Sequence, residues 1–321
     1  MRKIVVICGG SGAFTELCGL RDTPDLAITA MPHTCDSGGA QAIFLHHYPE
    51  YVALADVDKC LAALAGDPLE ARLHRFRFTK SPGDGLSEHR QTVGNTILAA
   101  FQNMEPRVPL RQVIAHLARK LELKPNHRVE PITLQRGDVC VRLENGLVIH
   151  GEKHIDVPEH DPRVRITEAW LEPAAEANPS ALEAIRGANL VVIGPGDLYS
   201  SLVPCLLPRG AREVIQETKA KLAYVVNLMT KYGESTGFTS SGFVEIIERY
   251  AGRRMDFVVV NTGRPSPELA ELYLEEHASL VENDLSDQPG QKVIAADLLE
   301  TSEGPARHHS GKLANLLVSL I

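Results

Sequence analysis

Residues 189–207 read NLVVIGPGDLYSSLVPCLL, and the fold is decided by how this stretch is read. Leu190, Val191, Val192 and Ile193 form a short apolar run suited to a strand buried on both faces, and Gly194-Pro195-Gly196 stops it. A helix is expected to open near Leu198. That order sets glycine backbone at the C-terminal end of a strand, beside a helix start whose free N–H groups and positive dipole end attract anions. Ser200 and Ser201 would add hydroxyl donors in the first turn. Asp197 carries negative charge where a phosphate would sit, which suits a helix cap or an acceptor for a sugar hydroxyl. An ordinary tight strand-to-helix turn accounts for the same residues equally well.

Working outward, composition sets the limits. With 321 residues, 44% hydrophobic and 23% charged, the chain can bury the core of one large α/β unit or two smaller domains. A net charge of -8 offers no general attraction to nucleic acid or anionic membranes. The six cysteines contain no CxxC pair and several sit in apolar runs, as buried thiols of a reducing compartment do. Met1-Arg2-Lys3 leads straight into a strand without a signal-peptide pattern, and no apolar run approaches the ~20 residues that cross a bilayer. A soluble cytoplasmic protein is expected.

From the N-terminus, residues 3–7 read as a strand that enters CGGSGAFTELCGL. Gly9, Gly10 and Gly12 allow close backbone approach, with Ser11 between them and a helix over 14–20. This is a nucleotide-binding type of opening, although it fits neither GxGxxG nor a Walker A loop. A second strand at 26–31 ends in HTCDSGGAQAIF, placing Asp36 and Gly38 at the sheet edge where ligands collect. Helices follow at 56–65, 70–78, 92–101 and 110–121. Gly94-Asn95 opens the third of them, as a small-residue contact or as an amide aimed at ligand.

Segments 129–134, 138–143 and 146–151 alternate as strands, with Asn145-Gly146 as a hairpin turn. Regular α/β alternation is expected to resume with a strand at 163–172 and a helix at 178–187 capped by Asn178-Pro179. The strand at 221–227 leads into LMTKYGESTGFT, a polar loop that brings Asn227, Thr230 and Glu234 toward the same edge. Six or seven mostly parallel strands result. The Rossmann-like core is expected over 1–62 and 157–321, with 63–156 as an inserted helical and β-hairpin lobe.

Other chemistries find little support. Thirteen histidines include no HExxH and no zinc-like spacing, so no metal ligands are assigned, and His46-His47 and His308-His309 read as solvated surface. There is no GxSxG elbow. A lone magnesium ion held by Asp36 and the phosphates of a nucleotide diphosphate stays compatible with the pattern.

Several loops together carry a resemblance. GGSGAF at 9–14, CDSGG at 35–39, VGN at 93–95, GPGDLYSSLVP at 194–204 and NLMTKYGESTGFT at 227–239 stand in the order found in CofD-like proteins. VEPITL at 129–134, GEKHID at 151–156 and RHHSGKLA at 307–314 extend the likeness over nearly the whole chain, toward the gluconeogenesis-factor (YvcK-like) branch. The resemblance implies a three-layer α/β/α Rossmann-like fold, commonly a homodimer. It implies either a UDP-sugar-binding regulator of central carbon metabolism and cell-wall growth, or transfer of a phospholactyl-type group to a deazaflavin.

The departures from the family pattern fall on side chains and spare the glycines. Ser11 stands in a GGGTG-like loop, Ser37 replaces a second Asp, and Asp197 and Ser200 depart from GPGSLYTS. Asp58 takes an arginine position, and Gln91-Thr92 replaces His-Ser. In the regulatory reading Gly10, Ser11 and Gly12 face the nucleotide, residues 194–201 hold diphosphate or sugar, and Arg307 adds a charged fork. In the transferase reading Asp36 is the catalytic carboxylate, and Asn95 with the GPG loop stabilises phosphoryl charge. The missing second acidic group favours the regulator.

Overall fold

In the computed structural model, residues 1–35, 45, 48, 50–77, 92–104, 107–300 and 304–321 are described. The strand leaving the N-terminus, β1 (Arg2–Cys8), becomes the centre of the sheet because its alternate residues are apolar on both sides. Ile4 and Val6 face one core while Val5 and Ile7 face the other. On one flank lie β2 (Leu26–Pro32) and the two-residue β3 (Arg128–Val129). On the other lie β7 (Leu190–Ile193), β8 (Lys221–Val225), β9 (Phe257–Asn261) and β10 (Lys292–Ala296). The order is β10-β9-β8-β7-β1-β2-β3, and every pairing is parallel.

This is the doubly wound arrangement, in which the sheet grows from β1 through β2 to β3 and then, from β7 onward, on the far side of β1. The gap between the C-terminal ends of β1 and β7 is therefore the topological switch point.

Two helical layers cover the sheet. One contains α1 (Gly10–Leu20), α2 (Ala55–Leu64), α3 (Pro68–Arg75), α4 (Val93–Asn103) and α5 (Leu110–Lys120). After the short α6 (Glu152–Asp156), the opposite face is covered by α7 (Pro179–Arg186), α8 (Ala211–Glu217) and α9 (Ser240–Ala251). α10 (Pro267–Glu275) lies at the periphery with no buried residue, and α11 (Ser310–Val318) returns to pack on α1.

The strand expected at 163–172 departs from the alternation. β6 (Ile166–Glu172) pairs antiparallel with β4 (Asp138–Leu143), which also pairs with β5 (Val148–His150), so it extends the hairpin into a separate three-stranded sheet. Its exposed Glu168 and Glu172 leave only one apolar face, whereas central strands of the main sheet such as β1 and β7 are buried on both. Within 63–156, β3 supplies the edge of the main sheet, and Val139 and Val141 of β4 join the core beneath α7 to α9.

Candidate functional site at the switch point

β1 delivers the chain to Gly9, whose backbone is extended, and then to Gly10 at φ +65°, a left-handed conformation natural only to glycine. The Gly10 N–H donates to Asp56 Oδ2 at 3.2 Å. Asp56 sits in the first turn of α2 and is 5% exposed. The same oxygen lies 3.1 Å from His33 Nε2, and the other lies 2.6 Å from Lys59 Nζ. Because the Cys35 N–H donates to His33 Nδ1, the ring presents its Nε2 proton to Asp56. Burial alone would raise the Asp56 carboxyl, but Lys59 and His33 outweigh it and hold the group ionised, well below the usual carboxylate range.

The second loop closes over the first. Gly194 at φ +82° donates its N–H to the Ile7 carbonyl, and a Cβ on Gly12 would stand 2.6 Å from the Pro195 carbonyl oxygen. A Cβ on Gly9 would stand 3.0 Å from Ser201. The two glycine loops thus meet backbone to backbone. Gly12→Ala should lower the melting temperature by several degrees, since forcing a methyl into a packed backbone contact costs about 1–3 kcal/mol. A thermal scan showing no shift would mean that the loops can part freely.

Beyond Gly196, whose N–H donates to Asn227 Oδ1 at 3.0 Å, the chain makes a π-type turn over Leu198–Leu202 and a 3-10 turn over Val203–Cys205. The expected helix start is therefore brief, and the N–H groups of residues 199–202 are already taken. Tyr199 N–H and Ser200 N–H reach Glu234 Oε2 at 2.7 Å and 3.0 Å, and Ser200 Oγ reaches Oε1 at 2.7 Å. Asp197 occupies the cap position but caps nothing with its side chain. The chain's own buried carboxylate stands where the sequence suggested an anionic ligand.

A cleft of about 760 Å³ opens at this edge. Gly10, Gly12, Pro195, Gly196, Asp197 and Asn227 line it, with Thr230 and Arg307 on the side toward the C-terminal segment. Thr230 is held by Ser279, whose N–H donates to Thr230 Oγ1 at 2.9 Å. Gly9, Gly194, Ser200, Ser201 and Glu234 stand behind this lining and shape it. Gly94 and Asn95 lie elsewhere, buried in the first turn of α4: the Asn95 N–H is capped by Thr92 Oγ1, and a Cβ on Gly94 would overlap the Asp58 carboxylate. Asp58 is in turn paired with His74 Nδ1 at 2.7 Å. Ser11 belongs to the first turn of α1, while Asp36, Gly38 and the pair His46-His47 lie outside the described residues.

Contrary to its surface reading, His308 is buried, lines the cleft and has no partner for Nε2 among the described residues; burial pushes its pKa down to about 4. Sequence reasoning also passed over His33, Asp56, Lys59, Asp156 and Lys231. The one available sign was Asp56 and Lys59 one helical turn apart in a helix whose remaining residues, Asp58 aside, are apolar. Lys231 Nζ lies 2.9 Å from Asp156 and 3.9 Å from Asp197. Oxygens of Asp156, Asp197 and Glu234 fall within 4.8 Å of one another, a spacing a cation could use, but Lys231 already supplies positive charge there.

The sheet order and the paired glycine loops define an α/β protein of the doubly wound, ligand-cleft type. The family model described as 2-phospho-L-lactate transferase CofD matches residues 4–299. The putative gluconeogenesis factor of Thermotoga maritima is 35% identical over 98% of both chains. The gluconeogenesis factor of Listeria innocua is 32% identical over 99% of this chain and 95% of its own. A crystal structure of a UPF0052-family protein from Bacillus halodurans superimposes with a TM-score of 0.87 at 27% identity, covering 99% of this chain and 100% of that one. The chain belongs to the CofD family, among its gluconeogenesis factors.

No helix among the described residues is long and apolar enough to cross a membrane.

Proposed function

We propose that this protein is a cytoplasmic, homodimeric regulator that binds a nucleotide sugar of the UDP-sugar type in the switch-point cleft, without turnover, and so links central carbon metabolism to cell-wall growth and cell shape. The observation that carries the reading is the backbone contact between the two glycine loops, with Arg307 on the same cleft. Gly10, Gly12 and Gly196 offer a wall free of side chains to a diphosphate. Arg307 is exposed, and its guanidinium has no side-chain partner among the described residues. Lys231 offsets the charge of Asp156 and Asp197, which would otherwise repel phosphate. Burial lowers and these two carboxylates raise the Lys231 pKa, and the net effect is to keep it firmly protonated.

A UDP-sugar should raise the melting temperature by the increment that binding to the native state provides. Arg307→Ala should weaken the affinity about tenfold or more, because a hydrogen bond to a charged group contributes about 1.5–3 kcal/mol. Equal affinity in the variant would remove Arg307 from the site. The competing reading rests on the description of the matching family model, a phospholactyl-type transferase using Asp36. Incubation with candidate donors, a deazaflavin acceptor and magnesium, followed by mass detection, separates the two. A phosphodiester formed by the wild type and not by Asp36→Asn would establish the transferase.

A further inference from the structure

We propose that a second small-molecule site lies at the N-terminal end of the parallel sheet, fitted to a phosphorylated organic compound with an apolar body. A cavity of about 410 Å³ opens between α5, the turn that follows it and the edge strand β3. Arg111, Arg119 and Arg128 line it. An adjoining cavity of about 580 Å³ shares Arg111 and Arg128 and adds Lys3. None of these four side chains makes a hydrogen bond or ion pair among the described residues.

One unpaired surface arginine carries no message. Several cations gathered on joined cavities, in a chain of net charge -8, make a local field of opposite sign to the whole molecule. Lys124 is satisfied by Asp22 and by the Arg21 carbonyl, so it does not add to that field. Glu130 is the one carboxylate among the described residues of the smaller cavity, and it accepts from Asn178 Nδ2 at 3.3 Å; Glu183 joins it on the larger one, against the cations of both.

The floor is apolar for a reason local to α5. Arg111 and Arg119 sit eight positions apart on one helical face, and Ile114 and Ala118 lie on the same face between them. Ile114 and Val129 close the floor as buried side chains. Guanidinium forks above an apolar floor match a phosphate ester, whose dianionic head takes paired N–H donors while its body leaves water. The volume falls in the range of small-ligand sites, about 300–1,000 Å³. Lys3, Ala27 and Arg128 mark the starts of β1, β2 and β3, whereas the glycine loops follow the far ends of β1 and β7. A seven-residue strand spans roughly 20 Å, so this site and the switch-point cleft are separate.

Phenyl phosphate titrated into the full chain, with binding followed by calorimetry, tests the proposal. Saturable binding is expected, tighter than that of inorganic phosphate and weaker at high ionic strength. Arg111→Ala and Arg128→Ala, at exposed positions whose loss leaves the fold intact by circular dichroism, should each raise the dissociation constant about tenfold. Arg307→Ala should leave it unchanged. The absence of saturable binding overturns the proposal. So does binding lost in Arg307→Ala but retained in Arg128→Ala, which would assign the compound to the cleft. Equal affinity for inorganic phosphate would deny the apolar floor any part and overturn the ligand class.

Discussion

Asp56→Ala should destabilise the protein by about 3–5 kcal/mol, the loss expected when one partner of a buried ionic cluster is removed. The carboxylate accepts from the Gly10 N–H, faces His33 Nε2 and pairs with Lys59, so its removal takes one shared acceptor from all three. Lys59 is 35% exposed and can turn to water, which keeps the cost away from the upper end. His33 and the Gly10 amide are less free: the ring is 2% exposed and Gly10 is fixed at φ +65°. The glycine loop should loosen in consequence, and the thermal response to a UDP-sugar should fall with it. Denaturant titration of wild type and Asp56→Ala at neutral pH reads the first effect. A change under 1 kcal/mol would mean that water replaces the carboxylate without loss.

Stability should also decline as the pH rises from 6.5 to about 8, because of Glu234. Burial, and then the charge of Asp197, push its pKa up to about 8, against the pull of the Ser200 hydroxyl and the Tyr199 and Ser200 amides. The folded value lies above the unfolded one of 4.5, so between the two the folded chain binds the extra proton. The stabilisation is complete below the lower value and is lost as the pH rises through the upper one, at no more than ~1.4 kcal/mol per pH unit. Glu16 acts in the same direction, since both its oxygens are buried without partners among the described residues and burial raises its pKa well above the usual range.

His308 has the opposite sign. Its folded pKa of about 4 lies below the ordinary 6.5, so its contribution is complete above 6.5 and fades as the pH falls. The two trends offset each other on the acid side; above pH 6.5 the carboxyl groups act together with His33, whose pKa burial lowers but Asp56 raises to about 10. Glu234→Gln keeps an oxygen for both amides and places an NH2 beside the Ser200 hydroxyl, so the decline should become shallower with less than about 1 kcal/mol lost at pH 6.5. Denaturant midpoints measured across the window decide the matter. An equally steep decline in Glu234→Gln would show that Glu234 is already ionised in the folded protein.

The main sheet was legible because its evidence is local. Runs such as 4–7, 190–193 and 222–225 are apolar at every position, and only strands covered on both faces tolerate that. Glycines after β1 and β7 marked the two loops, and chain order placed Gly10 and Gly196 at one edge, where both line the cleft. Charged and polar partners could not be paired in the same way. His33, Asp56 and Gly10 come from three elements, and their convergence depends on how α2 packs over β1 and β2. Glu234 reaches the amides of Tyr199 and Ser200 across 35 and 34 positions, so a loop that promised an anion site carries an internal carboxylate instead. His308 followed the same rule: adjacency to His309 suggested surface, yet the return of the chain into α11 buried its ring. Hydrophobic period and turn chemistry are written within a few residues and were determined by the sequence alone. Electrostatic partners, and which backbone donors remain open to a ligand, were decided only when the tertiary structure brought distant segments within hydrogen-bonding distance.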